Sequence, residues 1–164
     1  MTNEKSQPPV QPEREVEPRV GLFNIEAMSD EQVTLMARSL AAMSDTLGEI
    51  DTQNACNAML EGLGADVRSL AQRNPERVKG LVETTMRSDC PSDQELAAYA
   101  VAGLIDHDYS FTREALVYLY CDTQDSYASE AAYNAICKLA NERLTAEQRA
   151  DFNACLTSQG VSTI

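Results

Sequence analysis

The chain has 164 residues, which fits one domain, and 43% of them are apolar, which is enough for one core. Its 26 acidic against 13 basic residues give a net charge of -13 at pH 7, which repels nucleic-acid phosphates and anionic membranes. The longest apolar block, residues 96–105, is far shorter than the roughly 20 residues of a membrane helix, and residues 1–10 lack the apolar run of a secretory signal. We therefore expect a cytoplasmic protein that binds neither nucleic acid directly nor membranes.

The first 20 residues differ in composition from the rest of the chain. They are polar, rich in glutamate and contain four prolines, so they bury too little to offset the entropy of ordering. Residues 1–20 are predicted to form a disordered tail and residues 159–164 a flexible C-terminus. The folded part is then a single helical domain over residues 21–158.

Helical periodicity and capping patterns predict about seven helices in that domain and no strand. Ser29-Asp30-Glu31-Gln32 has the pattern of a capping box and starts the first helix, over residues 30–48. The second segment, residues 53–73, contains Gly62 and Gly64, which weaken a helix, so it is either one helix or two. The other five are predicted at about 75–88, 92–106, 112–121, 127–143 and 146–156.

Helix starts and burial can also be predicted for the later segments. Asn74-Pro75 suits a first helical turn, Ser92 and Thr145 each begin a capping-box pattern, and Thr112 is a candidate cap. Residues 96–105 are apolar or small at nearly every position, so the helix that contains them has no solvent face. We expect that helix to be central in the fold.

One stretch of the chain nearly repeats itself at an offset of 34 residues. Ala97-Ala98-Tyr99 returns as Ala131-Ala132-Tyr133. Further along, Tyr118 and Cys121 correspond to Phe152 and Cys155. The repeat predicts two helical hairpins, over residues 92–122 and 127–156, with Tyr99 and Tyr133 as equivalent core positions.

These two hairpins resemble the antiparallel hairpins of HEAT and tetratricopeptide repeat proteins, and Asp66-Val67-Arg68 is similar to a short motif of HEAT second helices. The resemblance implies an all-α fold of stacked hairpins and a role in protein binding. It covers only the C-terminal part of the chain. A short repeat-like array and an irregular helical bundle are both compatible with the pattern.

The turns provide the candidate binding residues. In an up-and-down array alternate turns lie at the same end, so residues 88–93 should neighbour residues 122–126. Five acidic residues would share that rim: Asp89, Asp93, Asp122, Asp125 and Glu130. They either bind a basic partner or simply occupy helix N-termini, where the macrodipole favours acids. Three aromatic residues in or beside turns are candidate interface anchors: Tyr109, Phe111 and Tyr127.

No residue pattern indicates catalysis, a metal or a cofactor. His107 lies between Asp106 and Asp108, a set that could serve acid-base chemistry or bind a cation, but no nucleophile motif accompanies it. The five cysteines have no paired short spacing, which argues against a disulfide scaffold or a zinc site. Cys90, beside Pro91 in a polar turn, is the one cysteine outside an apolar helical pattern.

We therefore expect a noncatalytic, acidic protein-binding module without cofactors. It would act as an adaptor or inhibitor that engages a basic protein surface, including by mimicry of nucleic-acid charge. Two alternatives are a structural subunit of a homo-oligomer and, less favoured, a hydrolase or metal-dependent domain centred on His107.

Overall fold

A computed structural model describes residues 21–164, and the predicted tail of residues 1–20 lies outside them. The described part contains no β-strand and seven α-helices: α1 (Asp30–Leu47), α2 (Ile50–Leu70), α3 (Pro75–Met86), α4 (Pro91–Val101), α5 (Tyr109–Cys121), α6 (Ser126–Glu142) and α7 (Ala146–Ser158). Short 3-10 helices occupy Ile25–Ala27 and Ala102–Leu104. The predicted all-α class is confirmed. Within residues 21–164, none of the helices combines the length and apolarity that a bilayer span requires.

The helix starts follow the local sequence in three cases and depart from it in two. Complete capping boxes form at Ser29 and Thr145, and the Asn74 side chain caps α3. The predicted box at Ser92 is wrong, because α4 starts one residue earlier at Pro91, where proline suits the first turn. Thr112 is buried inside α5 and does not cap it; the cap is the carboxylate of Asp108.

The helices pack as hairpins whose second helices lie side by side. The most extensively packed consecutive pairs are α1 with α2, α3 with α4, and α5 with α6, while α4 also packs against both α2 and α6. The predicted packing of seven helices against one another is confirmed. The predicted pairing, over 92–122 and 127–156, starts one helix too late, since α4 packs more extensively on α3 than on α5.

Helix α4 is the centre of the stack, as the apolar block of residues 96–105 predicts. It contacts α1, α2, α3, α5 and α6, and Leu96, Ala97, Ala98 and Val101 are fully buried. A helix without a polar face is stable in water only when neighbours cover it on all sides. The position of α4 fixes the places of α2 and α6 on either side of it.

The repeated alanines are buried in both α4 and α6, but the repeated tyrosines are not equally buried. Ala98 and Ala132 are both fully buried, but Tyr99 is half-buried against Gly64 of α2, whereas Tyr133 is 42% exposed. Tyr133 contacts Tyr120 of α5, with ring centroids 5.3 Å apart. The prediction that Tyr133 belongs to the core is wrong, because α6 turns this side chain towards α5 and the surface.

The segment that precedes α1 is fixed by two buried or half-buried side chains. The carboxylate of Asp66 accepts hydrogen bonds from the N–H groups of Gly21 at 2.6 Å and Phe23 at 2.9 Å. The guanidinium of Arg77 donates to the carbonyl oxygens of Ile25 and Met28. These bonds satisfy backbone groups in a segment with little regular structure.

Residues 159–164, predicted as a flexible terminus, fold back onto α7. The N–H of Ile164 donates to Oδ1 of Asn153 at 2.9 Å. The side chains of Val161 and Ile164 are half-buried against the core.

Candidate protein-binding surfaces

The turns between α3 and α4 and between α5 and α6 meet at one end of the stack. Together they line a cavity of about 410 Å³, here called the rim cleft: Asp89, Pro91, Gln94, Asp122, Thr123, Gln124 and Asp125. All charged residues in this lining are acidic. The structure thus brings together three of the five predicted acidic residues.

Hydrogen bonds within the two turns hold the rim cleft in shape. The carboxylate of Asp125 caps α6 by accepting from the N–H of Ala128 at 2.7 Å. The hydroxyl of Thr123 bonds to the side-chain oxygen of Gln94, and the Gln94 amide donates to the carbonyl of Ser88 at 2.9 Å. Gln94 therefore joins the two turns, while Asp89 and Asp122 remain exposed.

Asp93 does not belong to the exposed rim. It lies in the first turn of α4, is 2% exposed and faces α1. Nε and Nη2 of Arg38 donate to its two carboxylate oxygens at 2.9 and 2.7 Å. The sequence predicted that Asp93 lies on the exposed rim, and this prediction is wrong. The packing of α4 on α1 buries its carboxylate in an ion pair with Arg38.

Tyr127 and Glu130 line a second cavity, of about 460 Å³, between the second helices of the hairpins. This second-helix groove is lined by Glu61 and Arg68 of α2, Ala98 and Tyr99 of α4, and Tyr127, Glu130, Ala131, Asn134, Ala135 and Lys138 of α6. The side chain of Tyr127 is 61% exposed. Glu130 thus lies on a different surface from Asp89 and Asp122.

Four carboxylates, one from the rim cleft, two from the groove and that of Glu95, lie near the phenol of Tyr99. Burial raises the pKa of Tyr99 above its ordinary value, and the nearby carboxylates of Glu95, Glu61, Glu130 and Asp125 raise it further. These carboxylates come from three different helices and the turn before α6. Negative potential is therefore concentrated where the groove approaches the rim.

The two other predicted aromatic anchors lie elsewhere. Phe111 is half-buried beside a cavity of about 790 Å³ between α3 and α5, and the Lys79 ammonium lies 5.1 Å from its ring centroid. The Tyr109 hydroxyl lies 2.9 Å from the Asp151 carboxylate, and its ring packs edge-on against Phe152. Tyr109 therefore fastens α7 to α5, and burial with the Asp151 contact raises its pKa to about 12.

The carboxylates beside His107 are engaged by other residues. Asp106 pairs with Arg143. Asp108 accepts from Lys79 at 2.7 Å and from the Phe111 N–H at 3.0 Å, and both bonds lower its pKa. His107 itself is exposed. Among residues 21–164, no three histidine, cysteine or acidic side chains are grouped to hold a metal ion.

Glu95 is a perturbed carboxyl group that the sequence did not single out. Burial raises its pKa to about 7, and the charges of Asp125 and Asp45 add to that shift. Its position next to the apolar block of residues 96–105 is the one sequence signal that suggests burial.

We expect Glu95→Gln to raise the free energy of unfolding by about 1–2 kcal/mol at pH 8 and to leave it nearly unchanged at about pH 3.5, below the pKa of the unfolded chain. Folded Glu95 keeps its proton up to about pH 7, whereas the unfolded chain loses it near pH 4.3. The wild type therefore loses stability as the pH rises between these values, and the amide does not. Urea unfolding at both pH values measures the difference.

Glu83→Gln, at an exposed site in α3, is the control for this prediction. It should show no comparable pH-dependent gain. An equal effect of Glu95→Gln at about pH 3.5 and at pH 8 would show that the gain does not come from the charge of Glu95.

No family model, curated protein or solved structure matches the chain significantly. The fold alone defines the class: an all-α protein with seven packed helices in its described part. Function has to be inferred from the rim cleft and the second-helix groove.

Proposed function

We propose that this protein is a noncatalytic adaptor or inhibitor whose rim cleft binds a basic surface of another protein. The observation that carries the proposal is the common cavity of Asp89, Asp122 and Asp125, whose charged lining residues are all acidic. Carboxylates arranged in this way suit lysine ammonium groups and, by paired hydrogen bonds, arginine guanidinium groups.

The charge of the whole chain supports the same partner class. A net charge of -13 attracts basic proteins over a Debye length and speeds their association. Exposed ion pairs contribute only about 0–1 kcal/mol each, so several pairs have to form together. A basic groove that normally holds nucleic acid offers several such groups. The resemblance to HEAT and tetratricopeptide hairpins also favours protein binding.

The test uses a variant that removes the rim charges and keeps the helix cap. Asp89→Asn, Asp122→Asn and Asp125→Asn together change the net charge by three, and asparagine at position 125 still caps α6. Proteins captured from a lysate of the native cells by the wild type are then measured individually for affinity. We expect the rim variant to bind them about 10- to 100-fold more weakly, from three pairs of about 0.5–1 kcal/mol each.

A second triple variant controls for overall charge. Glu31→Gln, Glu76→Gln and Glu147→Gln make the same charge change in the first turns of α1, α3 and α7, at the other end of the stack. This variant should retain most of the affinity, and added salt should weaken wild-type binding. Equal losses in both variants, or an affinity that salt does not change, would contradict the proposal.

A further inference from the structure

The second-helix groove carries opposite charges towards its two ends. On α2, Glu61 precedes Arg68, and on α6, Glu130 precedes Lys138. The two helices run in the same direction. Gly64 of α2 approaches Tyr99, and Arg68 approaches Gly103 further along, so α2 runs parallel to α4. Lys138 and Glu142 line the cavity beside Arg68 and Gly103, whereas Tyr127 and Glu130 line only the groove beside Glu61 and Tyr99, so α6 runs the same way. The acidic side chains therefore share one end of the groove and the basic side chains share the other.

These four charges are not neutralised within the described part of the protein. None of the ion pairs between residues 21 and 164 involves Glu61, Arg68, Glu130 or Lys138. Along each helix the opposite charges are seven or eight residues apart, which corresponds to about 10–12 Å. That distance is too long for an ion pair, so each end retains its own potential.

Ala98 and Tyr99 of α4 form the floor of the groove. Gly103, in the 3-10 helix that follows α4, lines a neighbouring cavity of about 290 Å³ together with Arg68 and Lys138. Because α4 lies between α2 and α6, side chains of these two helices form the walls of the groove.

The acidic end also has an exposed aromatic ring. Tyr127 lies one helical turn before Glu130, and both line the groove. A tyrosine ring next to a carboxylate attracts a cation both by its π face and by the neighbouring charge. At the middle of the α6 wall, Asn134 is exposed, and its amide can both donate to and accept from a peptide backbone.

From this arrangement we infer that the second-helix groove binds an extended peptide segment of a partner protein, with a lysine or arginine at the Glu61 and Glu130 end and an acidic residue at the Arg68 and Lys138 end. In an extended chain, residues four apart are about 13 Å from each other and face the same side, which matches the spacing of the charges. This inference rests on the proposed function in one respect, that the ligand is a protein. The surface that binds it is the second-helix groove and not the rim cleft.

The test selects peptides from a random dodecapeptide display library on two proteins. One is the wild type and the other carries Glu61→Lys, Glu130→Lys, Arg68→Glu and Lys138→Glu, which exchanges the two ends and leaves the net charge at -13. The wild type should enrich peptides with a basic and an acidic residue four apart in one order. The exchanged variant should enrich the opposite order, and each selected peptide should bind the other protein at least tenfold more weakly.

Three further variants make the result specific. The rim variant with asparagine at positions 89, 122 and 125 should bind the selected peptide within twofold of the wild type, which separates this inference from the rim proposal. Should the exchanged variant fail to fold in a thermal-unfolding check, Glu130→Gln and Lys138→Gln, both at exposed positions of α6, should each weaken the peptide threefold to tenfold.

Three results would overturn the inference. The first is selection without any charge spacing, and the second is equal binding of the selected peptide to proteins with either arrangement of charges. The third is loss of the peptide in the rim variant without loss in the groove variants, which would place the ligand in the rim cleft.

Discussion

Gly64→Ala and Gly103→Ala should each lower the free energy of unfolding by about 3 kcal/mol or more. A Cβ atom at Gly64 would lie 2.2 Å from Cβ of Tyr99, and one at Gly103 would lie 2.4 Å from the carbonyl oxygen of Arg68. Neither neighbouring atom can move away by a rotamer change, so α2 has to separate from α4 or from the 3-10 helix that follows it. Because α4 is central, that movement disturbs the whole stack, and urea unfolding will measure the loss.

Gly80→Ala is the matched control for these two substitutions. Gly80 lies in the middle of α3 and is exposed, and a methyl group there would meet no neighbouring atom within 4 Å. Alanine has the higher helix propensity, so this variant should be more stable than the wild type by about 0.5–1 kcal/mol. If alanine had the same small effect at all three positions, the close approach of α2 and α4 would be contradicted.

These glycines show what the sequence can and cannot predict about the fold. Gly62 and Gly64 lower helix propensity, so the sequence left open whether residues 53–73 form one helix or two. The structure has a single helix, α2, because the contact of Gly64 with Tyr99 compensates for its low propensity. A close contact between residues that are distant in the chain leaves no local pattern.

For the candidate surfaces, the sequence predicted which turns are neighbours but not which side chains are exposed. The order of helices and turns alone indicated that the turns bearing Asp89 and Asp122 are neighbours, and they share the rim cleft. Which way each side chain points depends on the rotation of its helix. The apolar block of residues 96–105 has no polar stripe to fix that rotation, so the burial of Asp93 and the partial burial of Glu95 could not be predicted.

Helix rotation also explains why Tyr99 of α4 and Tyr133 of α6, which correspond in the 34-residue repeat, differ in burial. The alanines pack closely in both helices, and small side chains tolerate several orientations. Tyrosine does not, since its ring needs a particular space, which Gly64 provides for Tyr99. The surface that forms between α2, α4 and α6 is therefore defined by tertiary packing rather than by the repeat.

Asp93→Asn should lower the free energy of unfolding by about 2–3 kcal/mol. The change removes a carboxylate that is 2% exposed and accepts two hydrogen bonds from Arg38. An amide accepts through only one atom and presents N–H donors to the guanidinium through the other. It also removes a negative charge from the first turn of α4, where the macrodipole favours one. Chemical denaturation at neutral pH measures the loss.

Asp89→Asn makes the same chemical change four residues earlier, in an exposed turn, and should alter stability by no more than about 0.5 kcal/mol. Arg38→Met should destabilise the wild type, because it leaves the buried carboxylate without its partner. In the Asp93→Asn background the same change should cost much less, since the interaction it removes is already lost. Additive effects of the two substitutions would show that the pair does not couple α1 to α4, and that Asp93 is stabilised by other contacts.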